Sequence, residues 1–465
     1  MRVDARSQHH ATRGMAAFVA GLRYEDIPSE VAARMKLLML DALGCGLYAA
    51  NLEWSRMLQR SLAAVDATAG CTVWGTAQKL SAPHAALVNG SQVQGFELDD
   101  AHRLAILHTG SVVMPALVAL AELYPGMTGR DFLTAAVAGY EVGPRVGLCL
   151  GTAHLAQGWH PAATVGVFAA AAGAARALGL DAGQAMHALG IAGTQSCGLM
   201  AAQFGAMVKR MHAGRAAQSG LYAALLAKSG FTGIQDVFET EYGGFCTTFS
   251  RSHDGFDLTQ LTAGYGQTWQ AMGVRVKLYA CVGSTHSTLD ALRELREQHR
   301  FAPDDVERIV VHGSQASVEH VGWQYVPQGM TAAQLNLSYC VATLLLEGEV
   351  FVDQFTEDKL ADPQRLALAS RVEMRHDPHI TALGSKYRQM VRVEVHLKDG
   401  TRLERTLEAS RGKERFAPDA QVIRKYETLA RHAVPPAQAA QLRDAMLNLE
   451  DLADASAVGK LLQRA

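Results

Sequence analysis

Between Gln94 and Glu122 the chain reads QGFELDDAHRLAILHTGSVVMPALVALAE, so Glu97, Asp99, Asp100, His102 and His108 fall within about a dozen residues, directly before an apolar run. Carboxylates and imidazoles this close to buried chain suit three uses. They could ligate a divalent cation, cap the next helix and hydrogen-bond within a core, or move protons and bind substrate. The two histidines stand six residues apart, with no HExxH motif and no neighbouring cysteine, which is not the spacing of a familiar metal site. Acid-base or substrate-binding work is the favoured reading, with structural capping as the alternative and no metal.

Three further clusters carry chemistry. In GWHPAATVG, His160 precedes Pro161, a residue suited to the first turn of a helix, where unpaired backbone N–H groups attract anions. GAMVKRMHAGRAAQSG crowds Lys209, Arg210, His212 and Arg215 into an apolar region, either to bind a polycarboxylate or as a solvated face; on a helix they would not all point one way. VRVKLYACVGSTHSTLDAL sets Lys277 at the end of an extended run and His286 just before a helix. Tyr339, in NLSYCVATLLLEG, has the spacing of a core residue with a satisfied hydroxyl.

The elements that must hold these groups are legible from periodicity. Up to about residue 268, apolar residues recur at helical spacing between glycine and proline breaks, with Thr128 and Asp181 placed as N-caps, so this half reads as all-helical. One continuous helix is expected from Ala162 to Leu178. After about Gln270 the segments Val306 to Gly313, Arg371 to His376, Val391 to Leu397 and Thr401 to Glu408 alternate apolar with polar residues, and Asp399-Gly400 supplies a hairpin turn. They predict a small antiparallel sheet with helices between its strands, an α+β unit. A helical tail from Asp419 to Gln463 is expected to pack back on the first domain. The fold class is therefore mainly α with a smaller α+β domain.

A length of 465 residues with 49% hydrophobic and 19% charged residues and a net charge of −2 describes a globular protein without the basic excess of nucleic-acid binders. The 7 cysteines form no CxxC pair, which with 16 methionines suggests a reducing, cytoplasmic setting without disulfides. The N-terminus makes a poor signal peptide, and the apolar run from Pro161 to Ala175 is too short to span a bilayer. No GxxxxGK[ST], strand-following GxGxxG or GxSxG is present, which argues against nucleotide, dinucleotide and serine-hydrolase chemistry.

In this order the clusters resemble the MmgE/PrpD family, which includes 2-methylcitrate dehydratase, cis-aconitate decarboxylase and iminodisuccinate epimerase. The resemblance runs through FVAGLRYEDIPSEVAARMKLLMLDALGCGL, the segment around Asp99, GWHPAATVGVFAAAAGAARALGL, VKRMHAGRAAQSGLYAALLAKSGFTG, VKLYACVGSTHSTLDAL and NLSYCVATLLLEG. It implies a homodimer with a helical domain of residues 1–268 completed by a tail at 413–465, an α+β lid at 269–412, and a site between them that needs no cofactor. By motif it implies site roles for Glu97, Asp99, Asp100, His108, His160, Lys209, Lys277, His286 and Tyr339. Where decarboxylase and methylcitrate-dehydratase members typically read DFDDT, this chain reads Glu97-Leu98-Asp99-Asp100-Ala101, and Thr109 stands where proline is usual.

The family chemistry moves a proton or a carboxylate beside a carboxylate-bearing carbon, creating enolate-like charge. On this reading Lys209 and Lys277, with His160 and Glu97, bind a small polycarboxylate and hold that charge. His108 is the acid or base, oriented by Asp100 or Asp99, and His286 or Tyr339 protonates a leaving hydroxyl. The leading expectation is a hydro-lyase dehydrating a 2-methylcitrate-like acid. The alternatives are an epimerase, a cis-aconitate-type decarboxylase and a non-catalytic carboxylate-binding protein.

Overall fold

The computed structural model describes residues 10–408 and 417–464; the predicted boundary at 412/413 lies outside them. Its helical body comprises α1 (Ala11–Gly21), α2 (Ser29–Ala49), α3 (Ala82–Val93), α4 (Gly110–Leu123), α5 (Gly129–Leu150), α6 (Gly166–Ala177), α7 (Ala182–Gly193) and α8 (Val208–Lys228). Thr128 and Asp181 cap α5 and α7, their side chains accepting the N–H groups of Asp131 and Gln184. The helix expected from Ala162 is instead a single turn, Pro161–Thr164, followed after Val165 by α6. His160 therefore precedes one turn rather than a long helix.

Glycine and alanine set how close these helices come. A Cβ built on Gly90 of α3 would lie 2.7 Å from Gly214 Cα on α8, and one on Gly214 would lie 2.0 Å from the Leu87 carbonyl oxygen. Backbone therefore meets backbone where α3 crosses α8. Glu97 follows the C-terminal end of α3 and Lys209 opens α8, so the same contact carries acidic loop and cations toward each other.

The second unit holds α9 (His286–His299), β1 (Val306–Gly313), α10 (Gln315–Val321), α11 (Leu337–Glu347), β2 (Val372–His376), β3 (Val391–Leu397) and β4 (Arg402–Leu407). The four predicted strands form one sheet in the order β2-β1-β3-β4. It is mixed rather than antiparallel: β1–β3 and β3–β4 are antiparallel, whereas β2 runs parallel to β1, with Ile309 opposite Val372. Physically, β2 is reached through a long helical excursion that includes α10 and α11, and such a crossover can return a strand in parallel.

The tail forms α12 (Asp419–Ala430), α13 (Pro436–Leu447) and α14 (Ser456–Leu462), with α12 and α13 against α2 and α14 against α4. At its centre Lys425 Nζ lies 2.6 Å from Asp41 Oδ1 on α2 and donates to the Leu98 carbonyl oxygen, also at 2.6 Å. A lysine of the tail thus holds the backbone of the acidic loop. No helix among the described residues is long and apolar enough to cross a membrane.

The α3–α8 contact yields a direct expectation. Gly214→Ala must push the helices apart, lowering stability by about 1–3 kcal/mol or more in chemical denaturation. An unchanged denaturation midpoint would show that the crossing yields freely.

Candidate active site

Glu97 sits at the centre. Its backbone adopts φ +56°, a left-handed conformation uncommon outside glycine, and its side chain is buried among cations. Lys209 Nζ donates to Oε1, Arg210 approaches the same oxygen at 3.3 Å, and Lys277 lies 3.4 Å from Oε2. Lys277 also donates to the Glu97 carbonyl oxygen at 3.0 Å and lies 3.9 Å from Asp99 Oδ1. Burial alone would raise the Glu97 carboxyl, but Lys209, Lys277 and Arg210 together outweigh it and hold the group well below the usual carboxylate range. Burial draws the Lys209 ammonium down, opposed by Glu97.

The two aspartates divide their duties. Asp99 Oδ2 lies 3.1 Å from His108 Nδ1, an arrangement in which Nδ1 donates its N–H to the carboxylate and the ring is held in one orientation. Asp100 points elsewhere: Oδ1 accepts the Gly110 N–H at 2.9 Å, at the start of α4, and Oδ2 accepts the Tyr140 hydroxyl at 2.8 Å. Burial pushes Asp100 up to about 7 despite those bonds, with Asp99 adding to the rise. Asp99 is thus the partner of His108, whereas Asp100 ties the loop to α4 and α5. His102, whose Nδ1 accepts the Ala105 N–H, is held in a turn, and burial draws it down to about 4.

His160 Nδ1 lies 2.9 Å from His212 Nδ1. Lys209, Arg210 and His212 all turn inward from α8, while Arg215 bonds Gln218 on the same helix and is exposed. His286 opens α9, its Nε2 3.1 Å from the Cys281 carbonyl oxygen and its ring edge-on to Tyr279. Lys277 and His286 line a cavity of about 880 Å³ together with Ala101, Arg103 and Lys425. Glu97, Asp99, His108, His160 and Lys209 do not line it, so Lys277 is the residue common to the cation cluster and the cavity. Tyr339 stands apart: its hydroxyl donates to the Lys359 carbonyl oxygen at 3.1 Å, and its ring packs beside Tyr325 and Phe355. Among the described residues no group of three or more His, Cys, Asp or Glu could hold a metal ion.

Other participants carried weaker signals. Gln334 accepts from Arg210 at 2.6 Å and donates to the Phe96 and Ala280 carbonyl oxygens, joining the acidic loop, α8 and the segment before α9. A lone glutamine in an apolar helix announces none of this. His320 on α10 meets Ser284 Oγ at 3.2 Å, two residues before His286, and burial followed by Arg388 and Lys209 draws it down to about 3. Its segment, QASVEHV, offers no motif.

A buried carboxylate ringed by cations, with His108 and His160 close enough to feel its charge, has the groups that carboxylate and proton chemistry requires. The profile of the MmgE/PrpD N-terminal domain matches residues 13–256 and that of the C-terminal domain residues 279–451; the chain belongs to the MmgE/PrpD family. It is 35% identical over 97% of its length to a cis-aconitate decarboxylase-like protein, oryM, of Aspergillus oryzae, covering 97% of that protein. It is 33% identical to a cis-aconitate decarboxylase of Aspergillus terreus, over 99% of this chain and 97% of the relative. The human cis-aconitate decarboxylase is 28% identical, over 97% and 94%.

The charge cluster makes a pH-dependent prediction. Because the folded value of Glu97 lies below its ordinary 4.5, the stability it contributes is complete above that pH and is lost as pH falls through the depressed value. Glu97→Gln should cost about 3–5 kcal/mol at neutral pH by leaving buried cations uncompensated. In denaturant titrations the gap to wild type should narrow in acid; a pH-independent gap would assign the loss to packing.

Proposed function

We propose that this protein decarboxylates a small unsaturated tricarboxylate of the cis-aconitate kind. The observation that carries this reading is the match, along nearly the whole of both chains, to relatives named as cis-aconitate decarboxylases. It favours one of the alternatives drawn from the sequence over the leading one, dehydration of a 2-methylcitrate-like hydroxy acid.

The site chemistry supports such a step. Lys209, Arg210 and Lys277 face two carboxylates, Glu97 and Asp99, so the cluster keeps positive charge for an incoming anion. In a substrate whose carboxylate-bearing CH2 adjoins the double bond, the C–C bond to that carboxylate breaks and CO2 leaves. The bonding pair becomes a new double bond, and the old one moves its pair onto the carbon beside one of the two remaining carboxylates. Lys209 and Lys277 stabilise the enolate-like charge that develops there. His108 delivers the proton to that carbon from Nε2, with Asp99 holding the ring through Nδ1, and regains a proton from water. Ala101 lines the cavity beside Lys277, so the wall lacks the hydroxyl that decarboxylase members typically carry and takes a substrate satisfied without it.

The test is to incubate purified protein with cis-aconitate in deuterated buffer. One CO2 per acid consumed and one deuteron on the carbon beside a carboxylate are expected. Alkene from a hydroxy acid without CO2 would establish dehydration instead, and deuterium uptake without net product an epimerase. His108→Ala and Lys209→Ala should each lower turnover at least about 100-fold; unaffected turnover in either would remove that residue from the reaction.

A further inference from the structure

The two imidazoles at His160 and His212 meet through like atoms, Nδ1 to Nδ1 at 2.9 Å. The contact is built into the fold. His212 projects inward from α8, and Gly198 packs against its ring while accepting the His160 N–H through its carbonyl oxygen at 3.1 Å. Gly198 adopts φ +156°, and a Cβ there would lie 2.3 Å from that of Ala163. Both histidines are more than nine-tenths buried.

A hydrogen bond between two Nδ1 atoms requires an N–H on one ring and a lone pair on the other. Two charged rings would set N–H against N–H, and two neutral rings protonated at Nε2 would set lone pair against lone pair. Burial, then Lys209, draws His212 down to about 4. Burial, Lys209, His212 and His108 hold His160 well below its ordinary value, with only Glu97 opposing. At neutral pH both rings are therefore neutral and occupy complementary tautomers. One presents a lone pair at Nε2, the other an N–H. With Nδ1 engaged in the pair, Nε2 is the nitrogen that each ring has for other contacts.

We propose that His212 is a positioning residue for His160, holding its imidazole through the Nδ1 pair in the tautomer complementary to its own, so that Nε2 is presented to the substrate in a fixed orientation. The kinetic consequence rests on the substrate-binding role given to His160 above; the tautomer pairing belongs to the protein without substrate.

Full-length protein labelled with 15N-histidine, its ring signals assigned with His160→Asn and His212→Asn, tests the pairing by two-bond 1H–15N spectra between pH 6 and 8. One ring protonated at Nδ1 and the other at Nε2 is expected. Two rings protonated at Nε2, or either ring charged at pH 7, overturns the proposal whether or not any substrate turns over. Where turnover is measured, His212→Leu should lower kcat/KM about 10–100-fold, chiefly by raising KM, and change its pH profile. His212→Asn, whose amide can still pair with His160 Nδ1, should restore most of the rate. Equal losses in both variants, or none in His212→Leu, would overturn the positioning role. Should His212→Leu fail to fold, the wild-type spectra decide alone.

Discussion

One buried carboxylate organises the site. Glu97 brings together groups far apart in sequence: Lys209 and Arg210 from the start of α8, and Lys277 from the segment leading into α9. Cations this deeply buried carry a large desolvation cost, and a nearby carboxylate that is also buried is the economical way to meet it. Because three cations share that one group, the loop, α8 and the segment carrying Lys277 cannot shift independently without uncoupling buried charge. The left-handed backbone at Glu97 is held by the same ion pairs.

The surrounding contacts serve that arrangement. Asp100 joins the loop to α4 and α5 through Gly110 and Tyr140, Lys425 secures the Leu98 carbonyl from the tail, and the short pairing of Ala101 with Arg275 binds the loop to the segment that carries Lys277. Pinned on three sides, Asp99 holds the His108 ring in one orientation. Buried ion pairs add little net stability over well-packed apolar side chains, so their value here lies in placement. The glycine contact between α3 and α8 supplies the close approach that makes this placement reachable.

Much of this was legible beforehand, and the exceptions have physical causes. The helices, strand positions and N-caps follow local periodicity and capping chemistry, which act over a few residues. Strand direction does not: nothing within Val372–His376 records that it pairs parallel to β1, because direction is set by the excursion that delivers it. The sequence marks Glu97 as a candidate substrate-binding residue, but its pairing with Lys209, Arg210 and Lys277 spans more than a hundred residues of chain and has no local signature. Tyr339 follows its spacing, a core residue with its hydroxyl on the Lys359 carbonyl oxygen, rather than joining the cluster. His320 and Gln334 carried no local signal because their meaning comes wholly from what they face.

By itself the sequence determined which residues could do chemistry, the helical and strand segments that carry them and, through the order of its clusters, the family. These are local or linear properties, set by side-chain type and short-range backbone preference. Tertiary structure alone decided the pairings: Asp99 rather than Asp100 on His108, His212 on His160, and three cations on Glu97. Hydrogen bonds and buried ion pairs act over about 3–4 Å, and partners at that range are chosen by how distant segments pack.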